Sequence, residues 1–413
     1  MRLLSVFLST GSVWFLYKTG REIFPQESRI PIWSMLLFAF NPQFVFFSGV
    51  LNVVNMINFS FSLFLWLLIR FLKNTLHSFI DISLLGIMFG VSILSKMTAL
   101  ATLPVVFMVI YWQRIRIKKP IVSTVVLFLT VFFLTGGWYL VRNQALYGEF
   151  TGSKAHVLYR FGKITNPFLE EVGLLNFIIS YPKTQWTTLW SGYGWITIYL
   201  PSVVPFLLAV LYFHGLWGFV GNLKKTKNVM NLPMQQIQLL VLALIPLIVW
   251  LGITRAIFII EVFHGKDLLF ISGALAIVVV YGLSIFWNKL SHWGQVLMRT
   301  KIMAITFLTF FSMFWFQQQN MARFAKGIAG VSDITAMAVI GVETVFGTLF
   351  VWAVASNLRI RRTTERALFK SPQITIISLL LLLTLIDAVV LFGLVVPSLY
   401  HQSLWDLLKI FKK

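Results

Sequence analysis

Four short stretches carry the side chains able to do chemistry. Lys96 stands in Ile93-Leu94-Ser95-Lys96-Met97-Thr98, between two apolar runs, where a fixed cation suits a lipid-borne phosphate. Such a residue in a membrane is costly and usually functional or paired, although a lysine can also snorkel to the headgroups. Arg142-Asn143 and Tyr147-Gly148-Glu149 follow another apolar run. Arg142 could clamp a phosphate through two parallel hydrogen bonds and Glu149 could serve as a base; a membrane-boundary arginine beside a solvated turn is the plainer alternative. Trp190-Ser191-Gly192-Tyr193-Gly194-Trp195 sets two glycines among three aromatics. Flat rings and close backbone suit a sugar, and equally suit an interface belt. Glu261-Val262-Phe263-His264-Gly265-Lys266-Asp267 gathers imidazole, amine and two acids, able to do acid/base or phosphate work or to form a solvated loop of paired charges. A lone histidine with two acids gives no support for a metal, and no cofactor is expected.

The elements that must position these groups are membrane helices. The chain has 413 residues, 58% of them hydrophobic and 11% charged, against about 25% charged in a soluble domain. Apolar runs near 3–17, 31–49, 55–72, 79–95, 97–112, 121–140, 200–221, 236–257, 268–287, 302–317, 334–356 and 373–396 predict an all-α polytopic integral membrane protein of about twelve crossings. They form a single transmembrane helical domain over 1–413, with an extracytoplasmic segment at 141–199 and an interfacial helix at 397–413. Within the segment, a capping Asn166, Pro167 and two acids announce a helix, and Val172, Leu175, Ile178 and Ile179 give it an apolar stripe for the outer interface.

Charge sets the orientation. Every second loop is basic, and these loops hold 20 of the 34 Lys and Arg residues. The positive-inside rule makes them cytoplasmic, so Lys96 becomes an outer turn. The net charge of +21 is thereby explained without nucleic acid; no base-rich stretch interleaved with aromatics forms a surface for it. With no cysteine there is neither disulfide nor thiolate site. The scheme makes the first helix run inward, which predicts either a missing upstream helix and outer loop or an outward-facing amino terminus.

Gly86-Ile87-Met88-Phe89-Gly90…Leu94-Ser95-Lys96 resembles the Gly-Leu-x-x-Gly…Leu-Thr-Lys run of the GT-C membrane glycosyltransferases. These include the protein O-mannosyltransferases and the lipid A aminoarabinose transferase. Phe40-Asn41-Pro42-Gln43-Phe44, Arg142-Asn143, Leu146-Tyr147-Gly148, Trp190…Gly194-Trp195 and His264-Gly265-Lys266 resemble its bacterial branches in the same order, over roughly residues 1–285. The resemblance implies transfer of a sugar from polyprenyl phosphate to a glycan, lipid or protein acceptor at the outer face of a bacterial cytoplasmic membrane. It implies Lys96, Arg142 and Lys266 as donor-phosphate ligands. Asn55, Tyr147, Glu149, Trp190, Tyr193, Trp195 and His264 would line the substrate pocket. It assigns no catalytic acid: the loop that carries it in the family has no counterpart, and Val54 stands where a second acid is expected. Glu343 and Asp387, inside late apolar runs, motivate the competing reading of a secondary transporter. A noncatalytic membrane partner is the third reading.

Overall fold

The computed structural model describes residues 2–73, 79–153, 173–191, 203–223, 232–257 and 264–291, with isolated positions at 155, 158, 159, 294, 295 and 297. The last three expected crossings, Glu343, Asp387 and the expected interfacial helix at 397–413 lie outside these residues. Two compact units divide the chain, Met1–Lys289 and Leu290–Lys413; everything below concerns the first.

The described elements are helical, as the apolar runs demand. They are α1 (Arg2–Ile23), α2 (Arg29–Ala39), α3 (Pro42–Ser48), α4 (Val53–Lys73) and α5 (Phe79–Ser95), then a 3-10 turn Met97–Thr102 leading into α6 (Leu103–Arg116). Next come α7 (Ile121–Phe132), a π turn Phe133–Gly137, α8 (Trp138–Tyr147), α9 (Leu174–Ser191), α10 (Val203–Leu223) and α11 (Met234–Ile257). A second 3-10 turn, Gly265–Leu268, opens α12 (Leu269–Lys289). Six spans among them are long and apolar enough to cross a membrane, or seven with α2 and α3 taken as one span bent by 67°. The protein is an all-α, multi-pass membrane protein.

Three helices depart from their expected form for visible reasons. The run 31–49 breaks at Asn41, whose side chain accepts from the backbone N–H groups of Gln43 and Phe44 and so starts a new helix with Pro42 in its first turn. Helix α1 runs on to Ile23, which places Lys18 and Arg21 within the helix. Its buried Ser5, Ser9, Ser12 and Thr19 make it more polar than a lipid-facing span; Ser12 and Thr19 return their hydroxyls to carbonyls one turn back, so their burial leaves no lone donor. The run expected to end at 140 continues through the π turn to Tyr147, where Gly148 takes a left-handed conformation (φ 69°) and stops it. Arg142 and Tyr147 therefore ride on a helix.

Small residues set the close approaches. Gly86 faces the Phe128 carbonyl at 3.0 Å, measured from the Cβ it lacks, and Gly90 meets Thr135 and Gly136. Helices α5 and α7 thus run parallel with backbones nearly touching, as glycine permits in a bilayer. Gly215 and Gly218 bring α10 onto Val279 and Gly282 of α12 in the same way. Between these seams lies an aromatic core: Phe61 stands edge-on to Phe270 at 4.8 Å, Phe64 meets Phe89 at 5.3 Å, and Phe89 meets Phe132 at 5.2 Å.

The contacts agree with the charge map. At one end Glu22 of α1 meets Arg70 and Lys73 of α4, and Gln238 of α11 reaches the Ile69 carbonyl at 3.4 Å. Arg116 of α6 reaches Met234 of α11 at the same end. All these residues border loops read as cytoplasmic. Lys96 and the segment 264–267 meet at the opposite end.

Candidate functional site

Helix α5 ends because Lys96 is extended (φ −157°, ψ 116°). Its N–H still bonds the Ser92 carbonyl at 2.8 Å, and its own carbonyl accepts from Ala99 to begin the 3-10 turn. The lysine is therefore held at a joint between two helices, at a height set by the Gly90–Gly136 contact. That turn packs on α11, where Gly252 approaches Ala101 at 3.0 Å from the Cβ it lacks.

The other half of the site is the turn Gly265–Leu268. A Cβ on Gly265 would collide with the backbone of Gln185 and Leu189 in α9, so only glycine lets this turn lie against that helix. Its N–H donates to the Thr188 hydroxyl at 2.6 Å. Docked in this way, the turn presents Asp267, whose carboxylate accepts a hydrogen bond from the Lys96 ammonium. Both side chains are shielded, 17% and 11% exposed. His264 and Lys266 flank the pair. Burial, Lys266 and Lys96 lower the His264 pKa and Asp267 opposes them, so the ring is neutral at neutral pH. Burial pushes the Tyr181 phenol of α9 up; a hydrogen bond with Thr254 opposes that and Asp267 adds to it.

Beside this cluster is a half-open cavity of about 340 Å³ between α9, α11 and α12. Pro182, Trp186, Pro246, Trp250 and Leu268 make its wall largely apolar. Gln185, also in the wall, accepts from the Trp250 indole at 2.9 Å. Its amide nitrogen is buried without a partner among the described residues.

The other sequence candidates are placed differently. Arg142 is exposed on α8, its guanidinium 5.8 Å from the Tyr139 ring and 3.5 Å from the Asn143 side-chain oxygen. Tyr147 is exposed, and Glu149 accepts from the Ala155 N–H at 3.1 Å. Asn55 is buried: its amide donates to the Phe47 and Val50 carbonyls, both at 2.8 Å, and its oxygen accepts from Ser9. It closes the turn between α3 and α4, with no donor left over. Trp190 belongs to the last turn of α9, 2% exposed and packed edge-on to Trp186 and Tyr212; its ring is spent on packing. Tyr193 and Trp195 lie outside the described residues. Among the described residues no group of three His, Asp or Glu side chains is placed to hold a metal.

Gln185, the Thr188–Gly265 bond and the pairing of Asp267 with Lys96 are contributions that motif reading passed over. Asp267 was visible as an acid beside Lys266, but its partner stands 171 residues away. Nothing in the local sequence marks Gln185.

Residues 1–138 match the family described as dolichyl-phosphate-mannose-protein mannosyltransferase. That third of the chain resembles the family. It spans α1 to the start of α8 and includes Lys96, while Arg142 and the segment 264–267 lie beyond it. No curated protein and no solved structure matches the chain.

Proposed function

We propose that this chain is a GT-C-like glycosyltransferase that moves a sugar from a polyprenyl-phosphate donor to an acceptor at the extracytoplasmic face of a bacterial cytoplasmic membrane. The match of residues 1–138 to a mannosyltransferase family supports the reaction class and suggests mannose as the first sugar to try. The observation that carries the reading is the meeting of Lys96 with the 264–267 segment beside an apolar cavity. Cations there would hold the donor phosphate, and the cavity would take the first part of its hydrocarbon chain. Charge builds on the phosphate as the sugar leaves, so a fixed ammonium favours the transition state over the ground state. Neutral His264 is suited to hydrogen-bond a sugar hydroxyl or the phosphate without adding charge. Arg142, exposed on α8, would be a further phosphate ligand. The catalytic base is not assigned.

The test is sugar transfer from polyprenyl-phosphate mannose by the full chain in proteoliposomes. Replacing Lys96 with Ala is expected to lower the rate roughly 100-fold or more, the loss typical of removing an anion-stabilising donor. Transfer that survives Lys96→Ala unchanged would reject this role.

A further inference from the structure

The Lys96 site contains its own anion. Asp267 bonds the ammonium that the donor phosphate would use, and both partners are shielded from water. We propose that Asp267 is a specificity-determining residue that weakens the site's hold on the doubly charged lipid phosphate left by transfer, relative to the singly charged donor. This rests on the function proposed above.

The argument is one of charge. In transfer, the acceptor oxygen forms a bond to the sugar carbon. The bond from that carbon to the phosphate oxygen breaks, its electron pair stays on the phosphate, and the acceptor's proton is released to solvent. A phosphodiester with one negative charge thus becomes a phosphomonoester that carries about −1.5 to −2 at pH 7. Among the described residues, the groups close to this place are Lys96 from the α5 joint, Lys266, Asp267 and His264 from the turn before α12, and the Tyr181 phenol from α9. Asp267 is the carboxylate among them, and it is bonded to Lys96 itself. Coulomb repulsion from a fixed carboxylate scales with the ligand's charge, so Asp267 penalises the dianion about twice as heavily as the monoanion. An enzyme that bound product more tightly than donor would stall after one turnover.

A purely orienting role for Asp267 makes the opposite prediction, because a lysine released from its carboxylate would then grip either phosphate less well. The two are separated by binding measurements on the full chain in neutral lipid nanodiscs at pH 8. The probes are farnesyl phosphate and its methyl diester, which share a chain and differ by one charge. Asp267→Asn is expected to bind the monoester roughly tenfold tighter and the diester about threefold tighter, as linear scaling with charge requires. Asp267→Ser, smaller and equally uncharged, should do the same and stands in if the Asn variant fails to fold. Weaker or unchanged monoester binding in both variants, or equal gains for the two probes, would overturn the proposal. Lys96→Ala in the same assay separates the two claims. If it alters neither probe, the phosphate site itself is wrong; if it weakens both while the Asp267 variants leave them unchanged, only the role of Asp267 fails.

Discussion

The two ends of this bundle hold their cations in different ways. At the end bordered by the basic loops Arg70 and Lys73 meet Glu22 of the neighbouring α1, Arg70 lies 4.7 Å from the Trp66 ring, and Arg114 lies 5.3 Å from the Phe71 ring. These are packing arrangements. Rings and one carboxylate cover these charges. At the outer end one lysine is bonded to an acid from a remote part of the chain, with a second lysine and a neutral imidazole adjacent and a cavity alongside. Positive charge alone therefore does not mark a site. What distinguishes the outer cluster is that distant segments are brought together at a concave surface.

Several substitutions would break or sharpen this contrast. Lys96→Ala has the largest expected effect, the loss of roughly 100-fold in transfer described above, and no cytoplasmic lysine should approach it. Gly265→Ala comes next. Its methyl group would meet α9 backbone that has little room to shift, so a destabilisation of about 1–3 kcal/mol is expected, read as a lower melting temperature in detergent. An unchanged melt would mean that the turn is not docked on α9.

His264 gives a smaller, pH-dependent effect. Its pKa is lowered in the fold, so on acidification the unfolded chain takes up a proton first. Stability should fall as the pH drops through the ordinary histidine range, and His264→Gln should flatten that fall. An identical pH profile in the variant would remove His264 from the shielded cluster. Glu22→Gln should matter least: under about 1 kcal/mol of stability, as for a partly exposed ion pair, with transfer unchanged. A loss of activity comparable with that of Lys96→Ala would erase the distinction between the two ends.

The sequence carried the helical class because that rests on local composition. Helices α4, α5, α10, α11 and α12 fall close to their expected limits for that reason. Leu175, Ile178 and Ile179 of the expected stripe are exposed along α9, while Asn166, Pro167 and Val172 lie outside the described residues. The glycines of the Gly86–Gly90 run were legible as a motif, but their work was not: they seat α7 against α5 and so fix the height of Lys96. Asn55 and Trp190 show what residue type leaves unsaid: Asn55 is held by hydrogen bonds to the turn between α3 and α4, and the Trp190 ring packs on Trp186 and Tyr212. Asp267 shows the reverse, an ordinary loop acid until its partner arrives from another helix.

Two walls of the cavity contain a proline within a helix, Pro182 in α9 and Pro246 in α11. Neither can donate to the carbonyl one turn earlier, that of Ile178 or of Leu242, so each wall lacks one rung of its ladder. Those are the points where the helices bend at least cost. The glycine-seated turn bearing Lys266 and Asp267 has no such slack. The chamber is thus soft along its greasy flank and stiff at its charged rim, so its apolar side can change width while the ammonium of Lys96 stays where it is.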